Sequence, residues 1–332
     1  MTNSPEIIMP RSMIAAVWEC FRRMRRGGIF LNSINSREVR ISDYMAALLT
    51  IMIWGGSFPA IKYSLAWGEP SLILLMRLFF AIFPLAAGCL VEGTMRLPTR
   101  EELPSLLFMS FQGIFLQQGI QAFAMKTAGA GNSNWMMVAS PALVAVLGRI
   151  FLKEKISRVG TVGLLLAAAG VALVLARGTI KGAAESGSFG SVGDYIMLFS
   201  VLNWAVFLII SRKYLRASLP PAFSIFWELV FAFFYALAAS FAVGTDYSRI
   251  AAFAPQTWLA VIFLGALSSG FAYLLWYRAL AVFPVARLSI FQFLQPVTGM
   301  CISYLLIGER YTMWLAAGAV MIVCGICLVN KK

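Results

Sequence analysis

FLKEKISRVGTVGLLLAAAGVALV (residues 151–174) and LIGERYTMWLAAGAVMIVCGICLV (residues 306–329) are two copies of one pattern, 155 residues apart. Glu154 falls on Glu309, Lys155 on Arg310, Ser157 on Thr312, Gly163 on Gly318 and Gly170 on Gly325. Apolar strings match by chance, but an acid–base pair followed in order by a hydroxyl and two glycines does not. Moving outward, Pro141 falls on Pro296 at the same shift. Nearer the start the shift becomes 150 or 151, with Trp54 on Trp204, Lys62 on Arg212, Pro70 on Pro221 and Ala81 on Ala232. The chain is therefore read as two copies of one unit.

The unit is embedded in lipid. The 332 residues are 60% hydrophobic and 12% charged, with a mean hydropathy of +0.82. A soluble domain carries about twice that charge. Apolar runs at roughly 44–65, 70–91, 104–125, 129–151, 158–176, 194–214, 220–243, 256–277, 283–306 and 312–330 match the length at which a helix crosses a bilayer core of about 30 Å. Backbone groups in lipid must be satisfied within the chain, and the runs do not alternate as barrel strands would. The expected fold is an all-α membrane protein of about ten transmembrane helices.

With the N-terminus inside, the loops carry 20 Lys and Arg inside and 5 outside, which predicts both termini in the cytoplasm. Each copy holds five spans, and an odd number forces the second copy to enter from the opposite side. Two inverted five-helix repeats follow, the architecture in which carriers bind substrate near the midplane. The expected organisation is a basic extension over 1–42, a first repeat over 43–177, a Gly- and Ser-rich linker over 178–193 and a second repeat over 194–332. The extension has no apolar core or cleavage site of a signal peptide. It reads as a basic helix on the cytoplasmic lipid face, as an unstructured extension, or as an over-long gene start.

Several classes of function are set aside. The net charge of +13 follows from topology, and no soluble basic domain exists to bind nucleic acid. The chain has no His, hence neither the commonest general base nor the commonest metal ligand. Cys324 and Cys327 share one helix face with no second pair nearby and read as packing residues. No nucleophile–base set or metal cluster of an intramembrane enzyme is visible, and no loop is long enough for the signalling domain of a sensor or scaffold. No cofactor is expected. Energy should come from a gradient or a partner, since no ATP-binding motif is present.

The pattern resembles the drug/metabolite transporter superfamily in its ten-helix EamA-type branch. The residues that carry the resemblance are WGGSFPAIK (54–62), Arg77 within LMRLFFA (75–81), SPALVAVLGRIFLKEKIS (140–157), its partner QPVTGMCISYLLIGERYT (295–312), and YLLWYRAL (273–280). The resemblance covers about 43–330 and implies a gradient-coupled carrier in the inner membrane, often an exporter of amino acids or related metabolites. Nucleotide-sugar and drug carriers share the fold.

A charge inside a span is expensive and marks function. Arg77 lies a third of the way into its helix, and Glu228 occupies the equivalent place at a shift of 151. Glu228 reads as a proton or amine site, with Arg77 as its partner or as a carboxylate anchor. Each could equally be structural. Trp54 and Ser57 flank Gly55 and Gly56, which permit close backbone approach, and Pro59 removes a helix hydrogen bond. Gln117 and Gln121 share one helix face, as do Gln292 and Gln295. With Asn134, Trp135, Asn203, Trp204 and Tyr273 they read as a polar and aromatic cavity wall for a small-molecule substrate. Interhelical hydrogen bonding is the plainer reading of the amides, and an interfacial belt that of Tyr273, Trp276 and Tyr277. Pro141 and Pro296 read as structural, and Glu154 and Glu309 as caps that fix helix packing.

Overall fold

A computed structural model describes residues 39–128, 133–134, 136–154, 157–177, 191–217, 219–299 and 313–330. Trp135, Glu309 and most of the 178–193 linker lie outside the described residues, as does nearly all of the 1–42 extension. Helices are numbered α1 (Ile41–Ser64), α2 (Pro70–Val91), α3 (103–124), α4 (Ser140–Phe151), α5 (Arg158–Arg177), α6 (Val192–Ala217), α7 (Pro221–Ala242), α8 (Pro255–Val282), α9 (285–299) and α10 (Met313–Asn330). No strand occurs among the described residues. Of these helices α1, α2, α6, α7 and α8 are long and apolar enough to cross a membrane.

Local chemistry sets the ends. Pro70, Pro221 and Pro255 open α2, α7 and α8 in the first turn, where the missing N–H costs nothing. Asp43 accepts from Arg40 N, and Asp194 accepts from Ser191 N. These two caps are equivalent at a shift of 151. In the turn after α2, Arg96 pairs with Glu102 at 2.8 Å. Hydrogen bonds from Arg96 and then from Thr99 hold the Glu102 carboxyl down to about 2, so this pair is lost only as pH falls to that value.

Three runs that the sequence presents as plain spans are interrupted. α1 breaks at Gly56, just where Pro59 cannot donate to Gly55. The run 129–151 enters α4 through a 3₁₀ turn at Met137–Ala139 ahead of Pro141, and α9 passes through one at Ile290–Phe293 ahead of Pro296. A proline removes the N–H that would continue the α ladder, and both copies carry the break. α8 also runs past 277 to Val282, ending where Pro284 disfavours helix at the residue before it.

Equivalent contacts recur within and between the two copies. Lys62 Nζ donates to Met125 O at the end of α3 at 2.8 Å, and Arg212 donates to Leu280 O at the end of α8. Gln117 Nε2 donates to Ser200 Oγ, and Thr50 Oγ donates to Ala272 O. Positions 50 and 200 are equivalent, as are 117 and 272. α3 and α8 both carry a π-helical stretch, Ser110–Leu116 and Phe263–Phe271, ending at equivalent residues.

α5 and α10 pack backbone to backbone. A Cβ on Gly163 would stand 2.7 Å from Gly325 O, and one on Gly170 would stand 2.7 Å from Gly318 O. Rising numbers on α5 meet falling numbers on α10, so these equivalent helices lie antiparallel. Gly163→Leu should force them apart and destabilise the fold by about 1–3 kcal/mol, seen as a lower unfolding temperature in detergent. Gly119→Ala, with only Leu74 at 3.4 Å, should leave that temperature unchanged or raise it.

Candidate functional site

Trp54 and Trp204, equivalent residues of the two copies, meet in the middle of the bundle with ring centroids 5.4 Å apart. Trp54 also packs on Tyr273 at 5.3 Å and Trp276 at 5.1 Å, and its Nε1 donates to Ser268 O at 3.0 Å. The break at Gly56 lets α1 come this close. Gly55 faces Thr298, Gln295 and Gly299 of α9 so tightly that a Cβ would overlap them.

Beside this aromatic cluster lies a cavity with about 40 Å³ of free space, room for about three water molecules. Trp54, Ser57, Arg77, Gln117, Gln121, Trp204, Tyr273, Gln292 and Gln295 line it, together with Phe58 and Met137. The lining therefore draws on both copies. Phe58 and Met137 carry no polar signal and were not expected from the sequence.

Arg77 is the cationic residue of the wall and is 5% exposed. A buried guanidinium needs protein acceptors in place of the water it has lost. Arg77 Nε donates to Ser269 Oγ, and Nη2 donates to Ser268 Oγ at 3.2 Å. Ser268 in turn shares a 2.7 Å hydrogen bond with Ser57, and Ser269 donates to Gln118. Both serines sit on the π-helical stretch of α8. Their signal was available: Ser268-Ser269-Gly270 interrupts an apolar helix. The rest of the Arg77 fork has no partner among the described residues.

The amides divide by role. Gln117 and Gln121 reach the cavity, whereas Asn203 does not. Asn203 Nδ2 donates to Gln117 Oε1 at 2.7 Å, and Gln112 Nε2 donates to Asn203 Oδ1 at 2.9 Å, so Asn203 positions Gln117. Asn134, ahead of α4, is buried against Gly299 at the end of α9. Both polar atoms of Gln292 and the Nε1 of Trp204 are buried without a partner among the described residues. Each such orphan costs about 1–3 kcal/mol, a cost removed by a ligand that bonds to them.

Glu228 is 3% exposed but lies off the cavity. Its carboxylate accepts from Tyr277 Oη, and Ser110 donates to its backbone carbonyl. Arg77 and Glu228 do not pair: their helices touch, but each side chain turns to a different neighbour on α8. Tyr273, Trp276 and Tyr277 are buried, not an interfacial belt, because α8 continues past them by more than a turn. Glu154 accepts from Val285 N at 3.1 Å and Ala286 N at 3.2 Å, holding the start of α9. The φ of 54° at Lys153 turns the chain so that it can.

A model of the EamA-like transporter family matches residues 41–176 and again 191–331. An uncharacterized transporter of Archaeoglobus fulgidus is 26% identical, covering 87% of this chain and 97% of its own. A probable amino-acid metabolite efflux pump of Salmonella typhimurium is also 26% identical, covering 86% of this chain and 93% of its own. A crystal structure at 19% identity shares the fold with a TM-score of 0.70, covering 88% of this chain and 97% of that one.

Glu154→Ala leaves the first N–H groups of α9 without their acceptor. It should destabilise the chain by about 0.5–2 kcal/mol, measured as a lower unfolding temperature in detergent, while Glu154→Gln should recover part of the loss.

Proposed function

The chain belongs to the EamA-like transporter family, and from that premise we propose that it is a secondary carrier exporting a small carboxylate-bearing metabolite, such as an amino acid or a related compound, by alternating access. The membrane-spanning unit comprises ten helices as two inverted five-helix repeats, 43–177 and 194–332, joined by the 178–193 linker. Both termini face the cytoplasm of a cell whose inner membrane holds the protein, in keeping with the basic residues on that face.

The observation that carries this reading is the cavity between the two copies with Arg77 in its wall. A guanidinium with free donors binds a carboxylate by charge-assisted hydrogen bonds. The orphan atoms of Gln292 and Trp204 can take up the substrate's remaining polar groups, and Trp54, Trp204 and Tyr273 supply apolar faces for its body. The free space is smaller than a metabolite. Entry of substrate therefore requires the helices to separate, as a carrier demands. Export agrees with the name of the Salmonella relative. Glu228, a buried acid with Tyr277 as its partner, is the coupling site through which a proton gradient drives transport.

Overexpression should protect cells against one class of amino acids or analogues, and that compound should be carried by proteoliposomes. Arg77→Gln should weaken transport of it about tenfold or more, the loss of one charge-assisted contact of about 1.5–3 kcal/mol. Glu228→Gln should abolish the response to an imposed pH gradient while substrate still binds. An unchanged pH response would remove Glu228 as the coupling group.

A further inference from the structure

Gln292 differs from everything around it. It belongs to the 3₁₀ turn Ile290–Phe293 that leads α9 toward Pro296, and Ile290, Phe291 and Phe293 on the same turn are buried apolar side chains. Gln292 is itself 1% exposed and lines the cavity. Neither its Nε2 nor its Oε1 has a partner among the described residues. Gln117, another buried amide of the wall, is placed quite differently: its Nε2 donates to Ser200 and its Oε1 accepts from Asn203. The protein holds Gln117 at both ends and Gln292 at neither.

Packing does not ask for an amide at this place. At the shift of 155 the equivalent of Gln292 is Met137. Met137 also lies in a 3₁₀ turn, is also buried, and also lines the cavity. One copy thus fills the position with an unbranched side chain of similar length that brings no amide to bury. Hydrogen bonding between helices, the ordinary use of an amide in a membrane bundle, does not account for Gln292 either, because both of its polar atoms lack such a bond. Burying them unpaired costs free energy, and the occupant of the cavity is what can return it.

An unpaired glutamine sets a particular demand. Its Nε2 donates and its Oε1 accepts, side by side in one plane. A carboxylate offers acceptors alone and leaves Oε1 unpaired. An ammonium offers donors alone and leaves Nε2 unpaired. The complement of both atoms is a donor next to an acceptor on one flat group, the pattern that lets a glutamine or asparagine grip a nucleobase with two bonds. Water can serve the two atoms while the cavity is empty, and a substrate that displaces it must return both bonds. The rings of Trp54, Trp204 and Tyr273 border the same space and offer their faces to a flat group.

We infer that Gln292 selects the substrate by reading an amide edge, a donor beside an acceptor in one plane, while Arg77 holds the carboxylate. This rests on the carrier reading and narrows its substrate to a carboxylate that also carries a carboxamide or a cyclic amide. Gln292 is then a specificity residue, and Met137 marks what the same position is without that task.

Binding to the purified protein in detergent, followed as the rise in unfolding temperature on adding a compound, tests the assignment. Orotate carries a carboxylate and a cyclic amide edge, and glutamine a carboxylate and an open carboxamide. Benzoate carries a carboxylate and a ring alone, uracil the edge alone, and alanine the amino-acid headgroup alone. Orotate or glutamine is expected to bind at least about tenfold more tightly than the other three, and whichever leads tells whether the edge belongs to a ring or to an open chain. Gln292→Met, which copies the other repeat, is expected to abolish that preference and to leave the unfolding temperature of the empty protein unchanged or higher. A preference that survives in Gln292→Met, or benzoate or alanine binding as tightly as the best amide compound, overturns the inference and leaves the carrier reading in place. A marked fall in the unfolding temperature of both Gln292→Met and Gln292→Leu gives the amide a structural role and overturns it too. The ranking in the unaltered protein needs no variant and decides the matter if neither variant folds. If none of the carboxylates binds, the carboxylate reading of the site fails and the inference falls with it.

Discussion

A guanidinium buried in an apolar bundle has to be solvated by the protein itself, and the site is organised around meeting that demand for Arg77. Ser268 and Ser269 supply the acceptors. They belong to the other copy of the repeat, so satisfying Arg77 requires the two copies to be docked. Two adjacent hydroxyls in the π-helical stretch of α8 meet the one side chain, through its Nε and its Nη2. The bond from Ser57 to Ser268 extends this link to the broken helix α1. The charge, the break and the π turn are thus one arrangement.

Around that centre the fold relies on substitutes for water. Lys62 and Arg212 cover carbonyls at the ends of α3 and α8, Asp43 and Asp194 cover amides at the starts of α1 and α6, and Glu154 covers those of α9. Glycines on α5 and α10 replace side-chain packing by close backbone approach, the means by which helices associate where lipid removes a hydrophobic drive. Apart from that of Glu154, whose equivalent lies outside the described residues, these contacts come in pairs across the repeat. Among the unsatisfied atoms, those of Gln292 and Trp204 belong to residues of the cavity wall.

Much of this was legible in the chain. The doubled pattern at 154–170 and 309–325, the lone charges Arg77 and Glu228, and the glutamines spaced at three and four residues each state a requirement of their own: a repeat, a buried ion, a shared helix face. Such readings work because lipid penalises every polar group that lacks a purpose. Other features left no local mark. Asn203 reads as one more wall residue, and the 3₁₀ and π turns as uninterrupted helix.

What the sequence determined by itself was the kind of protein: helical, doubled, membrane-embedded, with polar groups drawn to its middle, since composition and period answer to the solvent alone. Only the tertiary structure decided which of those groups meet. Arg77 turned to serines and Glu228 to a tyrosine because partner choice depends on ångström-scale helix offsets, set by the glycine contacts and the broken turns together, and those offsets are a property of the packed bundle.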